Sequence, residues 1–166
     1  MSNRREELLS LLPCIPDPLV RAFTQYALSQ APSHFWVKPS SAGKYHPPDE
    51  HGSEGLLLHT IRVVRVGKIL CLSSPDLDPN VVLPACFLHD LCRYGDGEPG
   101  SQYTLPEHPE LAAAMVLRLG AGCLDGYAKP IADAVERHTG RWGKVKPETR
   151  EEWAVHYADN IAACCF

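Results

Sequence analysis

The sequence predicts an all-α fold. Apolar residues recur three and four positions apart along most of the chain, which is the period of an amphipathic helix. Helix-start signals precede several of these stretches, such as the pairs Asp17-Pro18 and Asp78-Pro79. The sequence has no convincing alternation of apolar and polar residues over more than four positions, which would indicate a strand.

The helices follow from these signals in chain order. We expect them to run from Arg4 to Leu12, Pro18 to about Gln30, Ser53 to about Leu72, Asp78 to near Gly95, Pro109 to Leu119, Tyr127 to His138, and onward from Thr149. Ser53 is the expected N-cap of the third helix. Thr149 caps the last one, in a capping box with Glu152. Prolines and the missing periodicity predict an irregular segment over residues 31–53 and loops over 95–106 and 140–148.

Length and composition favour one domain of ordinary character. The 166 residues suffice for a hydrophobic core, and we divide them into N-terminal helices (1–30), an irregular loop (31–53) and a core (54–166). A net charge of −4 with 22% charged residues does not indicate general binding to nucleic-acid backbones. No apolar run reaches the ~18 residues of a membrane span, and the first residues lack signal-peptide features, so we expect a cytoplasmic protein.

The adjacent pair His89-Asp90 lies in the apolar run 82–91. An imidazole and a carboxylate are costly to bury there unless a partner compensates, and a divalent cation is a common one. His59 and Asp159 lie in two other apolar stretches, and His138 follows a fourth. Helical spacing places these five side chains on inward faces of four helices, which predicts one shared polar centre. Taken singly, a histidine among leucines such as His59 is more often a core residue bonded to backbone than a metal ligand.

Four segments resemble one known family. They are Gly55-Leu56-Leu57-Leu58-His59-Thr60, Phe87-Leu88-His89-Asp90, residues 137–143 with His138, and His156-Tyr157-Ala158-Asp159-Asn160. The chain is similar in these segments to the HD-domain metal-dependent phosphohydrolases, and most to the branch that includes 3′-5′ exoribonucleases. The resemblance implies a helical bundle with a metal site between its helices. It also implies that a first metal is held by His59, His89, Asp90 and Asp159, and a second by His108 and His138 with Asp90 bridging.

The donor set and one departure from the family shape the expected cofactor. Imidazole and carboxylate ligands suit Mn, Fe, Co, Ni or Zn. Many members with two metals carry consecutive histidines where this chain has His138-Thr139. We therefore expect one tightly held metal and a weaker second site, with Asp90 as the central catalytic residue. His108 could instead cap the helix that begins beside it.

Candidate substrate-binding residues flank the metal ligands in the sequence. Lys44, His46, Arg93 and Arg141 could hold a phosphate. Trp36 or Tyr45 could stack a base, although aromatic residues of such a loop more often pack on the domain. His156, one helical turn before Asp159, is either a partner of a ligand or a partly exposed residue.

These features predict hydrolysis of a phosphoester or phosphoanhydride in a nucleotide or a nucleic-acid 3′ end. The expected partner is a small phosphorylated substrate, foremost a nucleotide. Nucleic acid is a possible partner that the net charge does not indicate, and we expect no membrane association. Two alternatives stay open. One is a non-catalytic nucleotide-binding or signalling module stapled by its metal, and the other is a di-iron oxygenase with the same ligand set.

Overall fold

The computed structural model describes residues 3–40 and 46–164, and within them the fold is all-α as predicted. Seven α-helices are present in this part of the chain: α1 (Asn3–Ser10), α2 (Pro18–Ser29), α3 (Gly55–Ser73), α4 (Pro79–Leu88), α5 (His108–Gly120), α6 (Ala128–Glu136) and α7 (Arg150–Cys164). The segment expected to be irregular contains two short 3₁₀ helices, Ser33–Trp36 and Pro48–Glu50. None of the described helices is both long and apolar enough to cross a membrane.

Local capping chemistry fixes two helix starts as predicted. The Asp17 carboxylate accepts hydrogen bonds from the backbone amides of Leu19 and Val20 at 2.8 and 3.0 Å. In the capping box, the Glu152 amide donates to the Thr149 hydroxyl, and the Thr149 amide donates to the Glu152 carboxylate, each at 3.2 Å. Both helices therefore begin where side chains can satisfy amides that lack an intrahelical partner.

The predicted start of α3 at Ser53 is wrong. The N-cap is Glu54, which has a left-handed backbone with φ of 61°, and its side chain makes no capping hydrogen bond. The Ser53 hydroxyl donates instead to the carbonyl of Val37, at 3.3 Å. The amides of Glu54 and Leu56 donate to the carbonyls of Val37 and Lys38, at 2.9 and 3.0 Å, so tertiary contacts replace the local cap that the sequence indicated.

The fourth helix is also shorter than predicted. It ends at Leu88 instead of continuing to near Gly95, and His89 is its C-cap. Beyond it, the amides of Leu91, Arg93 and Gly95 each bond to the carbonyl three residues earlier, which makes a run of tight turns. Consecutive residues of a continuous helix point ~100° apart. Because the helix ends here, the side chains of His89 and Asp90 can both approach one group of polar residues.

Helices α3 and α4 form the centre of the packing. α3 contacts α1, α4 and α7, while α4 also contacts α2, α6 and α7. A Cβ added at Gly67 would lie 2.7 Å from the Cys86 sulfur, so the glycine allows α3 and α4 to pack closely. One hydrophobic core takes side chains from all seven described helices. This packing brings the start of α3, the end of α4 and the middle of α7 together.

Replacing Asp17 with alanine tests the cap of α2. The change removes the acceptor for two backbone amides, and we expect a loss of about 1 kcal/mol in the free energy of unfolding. Asp17→Asn keeps an acceptor oxygen and should remain close to the parent protein. Urea denaturation measures both, and equal losses in the two variants would contradict the assignment.

Candidate metal centre

The six residues predicted to bind metal come from five helices or helix ends. His59 and Asp159 lie within α3 and α7, as their register predicted. Three others that were expected on inward helix faces lie at or beyond helix ends, whereas His108 lies at a helix start as the sequence indicated. His89 caps the end of α4, Asp90 and His138 lie beyond the ends of α4 and α6, and His108 begins α5. The C-terminal ends of α4 and α6 carry partial negative charge, which favours a cation near them.

One part of the cluster joins α3 to α7. The Nε2 atom of His59 lies 2.9 Å from Oδ1 of Asp159, and Nε2 of His89 lies 3.9 Å from the same oxygen. One ligand atom from each of these three residues lies within 4.8 Å of the others. Three nitrogen and oxygen donors at this separation can converge on a single ion.

The second part surrounds Asp90, which is completely buried. Its Oδ1 atom lies 3.1 Å from Nε2 of His108 and 3.6 Å from Nε2 of His138. Its Oδ2 atom pairs with the guanidinium of Arg93 and lies 3.5 Å from Nε2 of His89. The two oxygens therefore face different imidazoles, an arrangement that suits a carboxylate shared between two ions.

Backbone carbonyls fix the orientation of three imidazoles. The Nδ1–H groups of His89, His108 and His138 donate to the carbonyls of the residues three positions earlier, at 2.9, 2.6 and 2.7 Å. Each ring therefore turns Nε2 towards the cluster with its lone pair free, as in metal-binding histidines. His108 does not act as a side-chain cap of α5, because the helix start has no such hydrogen bond.

Several atoms that face the cluster lack hydrogen-bond partners. Among the described residues these include Nε2 of His89, Nε2 of His108 and Oδ1 of Asp90, all fully buried. Unpaired buried polar atoms are rare in folded proteins because each one loses its hydration. Their convergence on one region fits a divalent cation.

The charges of the cluster also fit a bound cation. Burial opposes ionisation of Asp90, yet the charge of the Arg93 guanidinium holds its pKa well below its usual range. Burial lowers the pKa of His89 to about 4, so its ring is neutral. Burial alone would also lower the pKa of His59, but the hydrogen bond to Asp159 and the nearby carboxylate of Glu50 raise it to about 9. Ionised carboxylates in a buried site attract positive charge, whether a proton or a metal ion.

Glu50 belongs to this cluster, although the sequence analysis missed it. It is completely buried, and its carboxylate lies 2.8 Å from Nδ1 of His46 and 3.4 Å from Nδ1 of His59. It also pairs with Arg62. A carboxylate behind a histidine orients the ring and increases its basicity.

A neighbouring glycine allows this placement. A side chain at Gly55 would collide with the Glu50 backbone, so the close approach requires glycine there. Glu50 escaped notice because it lies in a segment without helical periodicity, where nothing in the pattern indicates burial. The glycine five positions later was the available signal.

The predicted substrate-binding residues are placed unequally. A cavity of about 880 Å³ opens beside the cluster, and His46, Arg93 and Arg141 all line it. Lys44 and Tyr45 lie outside the described residues. Trp36 does not line this cavity. It packs edge-on against Phe35, with the guanidinium carbon of Arg5 4.3 Å from its ring centre.

A family model describes most of the chain. The HD domain model matches residues 56–164, which include the histidine of α3, the His89-Asp90 pair and the aspartate of α7. The chain belongs to the HD domain family. HD domains bind divalent metals and are generally metal-dependent phosphohydrolases, and the His/Asp/Glu clusters among the described residues could hold such an ion.

One curated protein is similar over nearly the whole chain. This HD domain is 26% identical over 160 residues to the 3′-5′ exoribonuclease YhaM of Shouchella clausii (strain KSM-K16). The matched region covers 90% of this chain but 49% of YhaM, so the chain spans about half the length of this relative. No solved structure gave a significant match.

Neutralising Glu50 tests its place in the cluster. Glu50→Gln keeps the shape of the side chain but removes the negative charge that compensates its buried positive partners. We therefore expect a loss of about 3 kcal/mol or more in the free energy of unfolding. Asp49→Asn is the matched control. Asp49 pairs with the same Arg62 but is 54% exposed, and its loss should cost under about 1 kcal/mol. Urea denaturation giving equal effects would refute the distinction.

Proposed function

We propose that this HD domain is a metal-dependent phosphohydrolase that hydrolyses a phosphoester or phosphoanhydride of a nucleotide or a nucleic-acid 3′ end. One observation carries the proposal. Buried donor atoms of His89 and Asp90 converge without hydrogen-bond partners, beside a cavity large enough for a nucleotide. Membership of the HD domain family supplies the class of chemistry.

The donor set fits the metal that the family implies. His59, His89, Asp90 and Asp159 would hold the tighter ion, and His108 and His138 would complete a weaker second site with Asp90 between them. All are imidazoles or carboxylates, which suit Mn, Fe, Co, Ni or Zn. When bound, the ion would supply Lewis acidity. It would polarise a phosphoryl oxygen and lower the pKa of water enough for a nucleophile to form at neutral pH.

The chain's own residues position the substrate. Arg93 balances the charge of Asp90 and also lines the cavity, so its guanidinium can meet a phosphate at the edge of the cluster. Arg141, from the turn that follows α6, lines the same cavity. His46 also lines it and packs against the ring of His59. Together they place three nitrogen donors around the path to the buried ligands, where a phosphate can be oriented.

The similarity to YhaM supports a nucleic acid or a nucleotide as the substrate class. YhaM is named for 3′-5′ exoribonuclease activity, and this chain is similar to about half of it. A net charge of −4 does not favour extensive contact with a nucleic-acid backbone. We therefore place a small phosphorylated nucleotide first and a nucleic-acid 3′ end second. We also propose that residues 1–166 act as one domain.

A metal-dependent turnover assay tests this function. Purified protein, stripped of metal and reloaded separately with Mn²⁺, Co²⁺, Ni²⁺, Fe²⁺ or Zn²⁺, is offered nucleotides and short single-stranded RNA. Release of phosphate or mononucleotide that depends on the metal is the expected result. A metal-induced rise in unfolding temperature without any turnover would instead favour a non-catalytic binding module.

Asp90→Ala should remove metal and activity together. Asp90 faces both groups of imidazoles, and its loss should lower kcat at least about 1000-fold. Asp96→Ala, an exposed carboxylate in the following loop, is the control and should be normal. Elemental analysis and kinetics measure the two effects. Full metal content and activity in Asp90→Ala would refute the proposed site.

His138→Ala distinguishes a site with one tightly bound metal ion from a site with two. We expect one tight ion in the resting protein, held without His138, so this variant should keep its metal content and lose at least about tenfold in rate. The metal-to-protein ratio before and after the change decides the matter. A fall from two equally tight ions to one would contradict the single tight site.

A further inference from the structure

Trp142 lies exposed at the rim of the cavity. It is 68% exposed, which is unusual for tryptophan, a residue that is highly buried on average. It lines the same cavity as His138 and Arg93, so a flat aromatic surface and the candidate metal ligands face one space. Neither the family match nor the named relative assigns a role to this residue.

The turn that carries Trp142 is anchored to the metal cluster. Nδ1 of His156 donates to the carbonyl of His138 at 2.7 Å, which ties α7 to the residue at the start of this turn. Gly140, with φ of 58°, lies so close to His156 that a side chain there would collide with the ring. The backbone that carries the indole is therefore held in place relative to His138. Such a fixed backbone suits a binding surface better than a freely moving one does.

Arg141 places positive charge beside the indole. Its guanidinium carbon lies 4.3 Å from the centre of the Trp142 ring, and no carboxylate in the described part of the chain forms an ion pair with it. A nucleotide combines a flat base with a negatively charged phosphate. The pair Arg141-Trp142 offers a matching surface for each part, because arginine and tryptophan both stack on bases and arginine also binds phosphate.

We propose that Trp142, supported by Arg141, is the platform on which the base of the substrate nucleotide stacks. The proposal rests on the proposed phosphohydrolase function, because it assumes that the phosphate is directed at the metal cluster. The cavity of about 880 Å³ has room for both parts of a nucleotide. Substrate preference then depends on the presence of a base, and not on its identity, since every base has a flat face.

Calorimetric titration of the Mn²⁺-loaded protein tests the platform with three probes. AMP carries a base, ribose 5-phosphate lacks one, and a phosphorothioate triadenylate represents a strand end that resists hydrolysis. In Trp142→Ala we expect about tenfold weaker binding of AMP, of the triadenylate or of both, which is about 1.4 kcal/mol. Binding of ribose 5-phosphate should stay unchanged. Loss for AMP alone identifies a free nucleotide as the ligand, and loss for the triadenylate alone identifies a strand end.

Two further variants control for folding and for general surface effects. Trp142→Phe keeps a flat ring and should retain affinity within about threefold. Tyr103 is equally exposed, at 69%, but does not line the cavity, so Tyr103→Ala should bind all three probes normally. The platform is refuted if ribose 5-phosphate loses as much affinity as AMP, if Tyr103→Ala reproduces the loss, or if the parent protein binds none of the probes.

Turnover, followed in parallel as release of phosphate from AMP and ribose 5-phosphate and of mononucleotide from unmodified triadenylate, separates this inference from the proposed function. Base-dependent binding without any turnover would uphold the platform and refute the phosphohydrolase. Equal turnover of substrates with and without a base would uphold the phosphohydrolase and refute the platform.

Discussion

The buried charge of Asp90 is the constraint on which the arrangement of this protein depends. A carboxylate without access to water is strongly destabilising unless several partners compensate it. Here the compensation comes from Arg93 and from imidazoles of different elements, so the ends of α4 and α6 and the start of α5 must meet at one point. The position of these helix ends is thus set by electrostatics as well as by apolar packing.

A second set of contacts extends the cluster to the other side of α3. Asp159 reaches His59 from α7, and Glu50 reaches the opposite nitrogen of the same ring from the 46–54 segment. Adjacent imidazole rings continue through the site, with centres 4.6 to 5.5 Å apart, in the order His46, His59, His89, His138 and His108. Hydrogen bonds to carbonyls or carboxylates orient the rings before any ion arrives. This order lowers the entropic cost of assembling a metal site.

The cavity separates two kinds of chemistry. Its wall towards the cluster includes the imidazoles of His108 and His138, the carboxylate of Asp159 and the ion-paired Arg93. Its rim carries the exposed Arg141-Trp142 pair. His156 connects the two regions through the backbone of His138. The proposed phosphate site and the proposed base platform are therefore linked through the backbone of one short segment.

The sequence by itself determined the helices whose signals are local. Asp17 and the Thr149–Glu152 pair satisfy backbone groups within one turn, so their helices begin where the residues predict. It also indicated the buried histidines and aspartates, because polar residues in apolar runs stand out against their neighbours. Tertiary structure decided the rest. Three features depend on partners distant in sequence: the early end of α4, the burial of Glu50 and the position of the turn that carries Trp142. No local spacing encodes such contacts.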